Sequence, residues 1–248
     1  LPLATTRPKR PKSAQRRPPV RAVLIFGGSM KKQLLAVCLA ASVPMLAACA
    51  TTGAETAASN FGDAAAYQQA QADVTRLTAQ ANQDPLLKPW TGPHGGVPPW
   101  DQARAELLAP ALGLGIELQE AEVQVIANNP ERPTFDNTIG AMQNAGRHLD
   151  RATTIFGVMT DNISNEAIQN VEAEWSPRLT ASGNAITFNR NLFNRIHDLY
   201  ERRATLGLDA HQMRLLERTH DQFVRAGAAA TPEQQARLGA INEELSSK

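Results

Sequence analysis

The sequence predicts an all-α protein, and three observations carry that prediction. Aromatic residues are only 5% of the 248 while alanine is abundant, so Leu, Ile and Ala must fill the core. Strands favour β-branched and aromatic side chains instead. From Asp101 onward the apolar residues recur at three- and four-residue steps, and no stretch alternates with period two over five residues.

Residues 63–81 are rich in Ala and Gln with few large apolar groups, so a helix there should be marginal or depend on a partner. Five prolines and three glycines between Pro85 and Trp100 prevent any regular element in that stretch. Its two tryptophans, Trp90 and Trp100, should pin it to a core as an extended segment. Pro110 suits the first turn of a helix whose apolar period runs through Leu112, Ile116, Val123 and Ile126 to Asn128-Asn129-Pro130. Thr134 opens a longer helix with Ile139, Met142, Leu149, Ile155, Phe156 and Met159 roughly on one face. Ser164 followed by Glu166 starts a third, which Pro177 should kink or break.

Asn189 can cap a fourth helix, where Leu192, Phe193, Ile196, Leu199 and Tyr200 recur. Asp209 caps a fifth, running through Met213, Leu216, Phe223 and Val224 to Gly227. Thr231-Pro232-Glu233-Gln234 is a capping box with proline at the first position, and launches a sixth through Leu238, Ile241 and Leu245. That last helix meets no Gly cap or Pro stop. Its apolar face should need a partner, and the chain is expected to be cut short.

The formal net charge of +1 hides two opposite halves. Residues 1–32 carry nine basic residues and no acid, whereas 16 basic and 24 acidic residues lie beyond, a net −8. An acidic body offers no phosphate-neutralising surface, so no nucleic-acid partner is expected.

The first fifty residues read as an address. Met30-Lys31-Lys32 is a positive start, Leu34 to Leu46 an apolar run, and Leu46-Ala47-Ala48-Cys49 a small-residue exit. This is the pattern of an exported protein's signal, and the run is too short for a spanning helix, which needs about 20 apolar residues. The cysteine directly after Leu-Ala-Ala resembles a bacterial lipobox, which makes Cys49 the expected lipidation site. Ordinary Ala-x-Ala cleavage near the same place is the alternative. Ala50 after the cysteine gives no Asp-type retention cue, so the periplasmic side of the outer membrane is the favoured location. Cys38 would leave with the signal and Cys49 would carry lipid, leaving no thiol for a disulfide, a metal or a nucleophile. Residues 1–29 are Pro- and Arg-rich without helical period, and read as an extension upstream of a true start at Met30 or as a disordered basic arm.

The chain therefore divides into 1–29, a signal at 30–49, a tether and marginal helix at 50–83, and a helical region at 84–248. A search for catalytic chemistry across it finds little. None of the five histidines (His94, His148, His197, His211, His220) sits in a His-Glu-x-x-His pair. His197 and Glu201 share a helix face and read as a solvated surface contact. His211 and His220 are nine residues apart and point in opposite directions. His94, in a loop, suits a structural hydrogen bond or a substrate contact. There is no Gly-x-Ser-x-Gly elbow, P-loop or Gly-x-Gly-x-x-Gly, and no acid/base pair stands out.

The run Asp84-Pro85-Leu86-Leu87-Lys88-Pro89-Trp90-Thr91-Gly92-Pro93-His94-Gly95-Gly96-Val97-Pro98-Pro99-Trp100-Asp101 resembles the lead-in segment of bacterial peptidyl-dipeptidases of the Dcp type, in the thimet oligopeptidase family of zinc metallopeptidases. Ile126-Ala127-Asn128-Asn129-Pro130, Pro133-Thr134-Phe135-Asp136-Asn137-Thr138, Phe223-Val224-Arg225-Ala226-Gly227 and Ile241-Asn242-Glu243-Glu244-Leu245 fit the family in order. The resemblance covers residues 84–248 and implies the multihelical N-terminal region of an oligopeptidase acting on short peptides. In that family the zinc motif and substrate-binding residues come later, so no catalytic, cofactor-binding or metal-binding residue carries over. Zinc belongs to the full-length family, and this chain is expected to bind none. Two functions stand: an inactive fragment of a lipid-anchored, periplasmic zinc peptidase releasing C-terminal dipeptides, or a non-catalytic, lipid-anchored helical module that binds peptides or a partner.

Overall fold

Helices form because caps start them and burial retains them, and both can be traced residue by residue. The computed structural model describes residues 61–93, 96–163 and 165–247. The expected signal, Cys38, Cys49, most of the tether, His94 and Ser164 lie outside the described residues. Among the described residues there is no strand, only an isolated antiparallel bridge between Thr91 and Val97. The all-α expectation holds.

Helix α1 (Ala64–Ala81) is capped by Asp63, whose carboxylate accepts from the amides of Ala65 and Ala66. Its partner lies within the chain: α1 packs along α2 (Ala105–Ala127) through Ala70, Leu77 and Ala81. The lead-in segment between them is held less by tryptophan than expected. Trp90 packs against the core, but Trp100 is exposed. The anchors are Leu86 and Leu87, both fully buried, each contributing about 1.5–3 kcal/mol by leaving water. Asp84 caps the turn that carries them, and Arg151 donates to the Leu87 carbonyl at 2.6 Å.

Two prolines stand deeper in their helices than expected. α2 begins at Ala105, placing Pro110 sixth rather than in the first turn. Starting early buries Leu108 completely, which offsets the backbone bond that proline forfeits. α5 (Glu166–Thr187) runs through Pro177 as one helix, against the expected break. Ile168 and Trp175 are buried on the N-terminal side of that proline, and Ser182 is buried beyond it and donates to Glu120 at 3.0 Å. Docking on both sides overrides the lost rung. The cap of α5 is Asn165, accepting from the Ile168 amide at 3.1 Å.

The longer helix expected from Thr134 divides. Thr134 and Asn137 do form a capping box, but Phe135–Gly140 follows with π-helical hydrogen bonding, then a single turn, α3 (Ala141–Asn144). The chain breaks at Gly146, where φ is +81° and an added Cβ would sit 2.4 Å from the Gln119 side chain. α4 (Arg147–Asn162) begins there. The supposed single apolar face serves two cores. Ile139 and Met142 join one, while Leu149, Ile155, Phe156 and Met159 join the other.

The first core gathers α1, the lead-in leucines, the front of α2, α4 and α5. Gly115 lets α2 and α4 approach, since a Cβ there would stand 3.1 Å from the Leu149 Cα. The second core gathers the end of α2, Ile139, and helices α6 (Arg190–Arg202) and α7 (Ala210–Arg225). Asn189 and Asp209 cap α6 and α7 as expected, and Leu192, Ile196, Leu199 and Leu216 are fully buried. Val224, expected on the apolar face of α7, is exposed.

The last helix, α8 (Pro232–Ser246), starts at the expected Thr231–Gln234 capping box. It docks on α5, but not through its apolar residues. Gly239 is its only buried residue, Asn242 donates to Asn184 at 2.8 Å, and Gln235 donates to the carbonyls of Gly227 and Ala228. Leu238, Ile241 and Leu245 face outward, at 37%, 44% and 65% exposure. Among the described residues no helix is long and apolar enough to cross a membrane.

Candidate functional site

Among the described helices α6 segregates its charged and apolar residues most strongly, and both of its polar features are built on that. On one side Arg195 is 1% exposed. Its Nη1 donates to the carbonyls of Asn129 (2.7 Å) and Glu131 (3.0 Å), and its Nη2 to the Asn137 side chain (3.0 Å). Burial pushes this guanidinium below its ordinary range, against the opposing pull of Asp198, Glu131 and Tyr67. Arg202, paired with Asp198, adds a bond to the Pro133 carbonyl. The turn from Asn129 to Asn137 is thereby fastened to α6. Asn128, Asn129, Pro133, Thr134 and Asn137 thus serve the fold, because they end α2, make the turn and cap the next segment.

On another side of α6, His197 meets His220 of α7, with Nδ1 and Nε2 3.1 Å apart. This corrects the sequence expectation for His197. His197 bonds a histidine 23 residues away, where a solvated contact with Glu201 was expected. His220 is buried, its ring stacked at 3.9 Å on Tyr200, whereas His211 is exposed. Phe193 completes the cluster, with ring centroids 5.8 and 5.9 Å from the two imidazoles, and Arg203 lies over Tyr200. Desolvation chiefly, and then His197, hold His220 below the ordinary histidine value. Nothing in the spacing from 197 to 220 marks this pair; only the α6–α7 hairpin brings it together.

The pair does not fit zinc. Zinc sits about 2.0–2.1 Å from each histidine nitrogen. The 5.4 Å between ring centres matches the 3.1 Å nitrogen separation plus the two ring radii, so the nitrogens point straight at each other instead of converging on a common point beside them, as two ligands of one tetrahedral zinc must. Among the described residues no group of three or more His, Cys, Asp or Glu stands ready for a metal.

A third feature is a shallow groove of about 240 Å³ where α1, α2 and α3 meet, lined by Val74, Ile126, Ala145 and Glu122. Burial raises the Glu122 carboxyl, while the Gly146 amide, donating at 2.6 Å, partly restrains it. No second acid or histidine lines the groove, so it lacks the pair that general acid/base chemistry uses. His148, the remaining described histidine, has its Nε2 3.4 Å from the Asn82 side chain and is held low by desolvation and Arg151. The fourth feature is the outward apolar ridge of α8, with Val224 of α7 also exposed.

Comparison with known proteins gives these features a context. No family model matches the chain. It is 36% identical over 156 residues to the dipeptidyl carboxypeptidase of Escherichia coli (strain K12), covering 63% of this chain and 22% of that protein. It is 34% identical over 161 residues to the dipeptidyl carboxypeptidase of Salmonella typhimurium (strain LT2), covering 65% of this chain and 24% of the relative. Over roughly 65% of its residues, then, this chain is related in sequence to the dipeptidyl carboxypeptidases, and it spans about a quarter of the length of those relatives.

Proposed function

We propose that the chain is the helical N-terminal part of a zinc metallopeptidase of the dipeptidyl carboxypeptidase type, and is inactive by itself. The whole enzyme removes dipeptides from the C-termini of short peptides. The supporting observation is the 36% identity over 156 residues to a protein of that name, of which those residues are only 22%. The α8 ridge agrees with this reading, because Leu238, Ile241 and Leu245 present an apolar strip suited to further polypeptide. Zinc is assigned to the remainder of the enzyme, because the family that the chain resembles carries its zinc motif in a later part.

The decisive measurement is peptide hydrolysis and zinc content on the purified chain. It should leave short peptides intact and carry no stoichiometric zinc. Chelator-sensitive release of dipeptides by a clean preparation would overturn the reading. Saturable binding of intact peptide without hydrolysis would favour the helical binding module instead.

The proposal extends to location. Leu46-Ala47-Ala48-Cys49 behind Lys31-Lys32 supports a lipid anchor on Cys49, holding the protein at the periplasmic face of the outer membrane. Mass spectrometry should find acylated Cys49 as the mature N-terminus, and Cys49→Ser should lose the lipid. An unmodified N-terminus in the mature protein would reject the anchor.

A further inference from the structure

The geometry of His197 and His220 has a consequence for acid. Because the nitrogens face each other head-on, the contact holds one proton and one lone pair. His197 is exposed, whereas His220 is 8% exposed and its Nδ1 has no partner. A proton on His220 Nε2, donated to His197 Nδ1, leaves only a lone pair at that buried position. This tautomer satisfies the most atoms, because a stranded N–H in a desolvated site costs more than an unused acceptor.

Every added proton disturbs that arrangement. Protonating His197 at Nδ1 sets two N–H groups against each other. The alternative moves the His220 proton to Nδ1, where it has no acceptor. Protonating His220 directly also puts an N–H at Nδ1, but its Nε2–H still reaches the His197 lone pair, so the facing contact itself is lost only when both rings are protonated. Few compensating charges are at hand: Asp221 and Glu201 favour a proton on His220, while Arg203 and His197 oppose it. Tyr200 and Phe193, packed on the rings, offer no acceptor in the ring plane.

We propose that the His197–His220 contact is an acid-released latch between α6 and α7, closed while one of the two facing nitrogens keeps its lone pair and opened when both rings are protonated. On opening, His197 swings into solvent and the face of the Phe193–His220–Tyr200 cluster that it covers becomes accessible. α6 and α7 remain joined below by Leu192, Ile196, Leu199 and Leu216, so the opening is local. Its thermodynamic sign follows from His220, whose folded-state value lies under the ordinary 6.5. The unfolded chain binds that proton more readily, so this contribution is complete above 6.5 and declines as pH falls through it.

Histidine-ring ¹⁵N NMR on the full chain, titrated from pH 8 to 5 alongside circular dichroism, tests the latch. Wild type should show a nitrogen–nitrogen scalar coupling across the bond at high pH. The coupling should vanish on acidification while helix content stays unchanged. His197→Gln, an exposed change whose amide accepts from either form of His220, should move the His220 titration to higher pH. His148→Gln should leave the coupling and its loss unaltered. A coupling that survives to pH 5, absence of any coupling at pH 8, or loss only together with the helices would overturn the latch. So would a His220 titration that His197→Gln leaves in place.

Discussion

Helices α1 and α8 invert what their sequences promise. α1 has scarcely any large apolar residues, yet Leu77 is 3% exposed and Ala81 is sealed completely between α2 and the lead-in segment. α8 has a capping box, a proline at its first position and a clean Leu238–Ile241–Leu245 period, yet buries only Gly239. Caps and period decide whether and where a helix starts. Which face is covered depends on what lies opposite, and a small side chain against a close neighbour excludes water as completely as a large one. α1 has a partner contoured to its alanines. α8 meets α5 through glycine and amides, and leaves its hydrophobic strip outward.

If that contrast is right, equal truncations should have unequal costs. Leu77→Ala removes a fully packed side chain and should destabilise the chain by about 2–5 kcal/mol in urea unfolding. A loss below about 1 kcal/mol would mean that α1 is not docked as described. Thr231→Ala should cost about 1 kcal/mol, because it frees the Gln234 amide and with it one side of the capping box. That loss tests whether α8 depends on its cap more than on its apolar residues. Leu245→Ser should change stability by no more than about 0.5 kcal/mol, since the side chain is already 65% exposed. A larger loss would show that the strip is covered in solution by another copy of the chain, which a concentration-dependent mass would reveal.

The contrast also explains where reading the sequence stopped short. The caps at Thr134, Asn189, Asp209 and Thr231 were legible because a capping side chain reaches only two or three residues along its own backbone. The division of the Thr134 helix was not, because Gly146 matters only where Gln119 and Glu122 of α2 come against it. Pro177 pointed to a break that docking of the flanking turns prevented. Arg195 carried no signal as a buried hub, since two of its acceptors are main-chain carbonyls 64 and 66 residues away, which have no identity in a sequence, and the third is the Asn137 side chain 58 residues away. The His197–His220 pair escaped for the same reason: 23 residues is not a helical spacing.

By itself, then, the sequence determined the helical class, most helix starts and the order of residues that resembles a peptidase, because those depend on local sterics, capping and composition. The tertiary structure alone decided which faces are buried, that α1 belongs to the first core, and that two histidines on different helices come within hydrogen-bonding distance. Those outcomes rest on desolvation and on contacts between residues far apart in the chain. Such contacts have no local signature, because their free energy exists only after two elements have met.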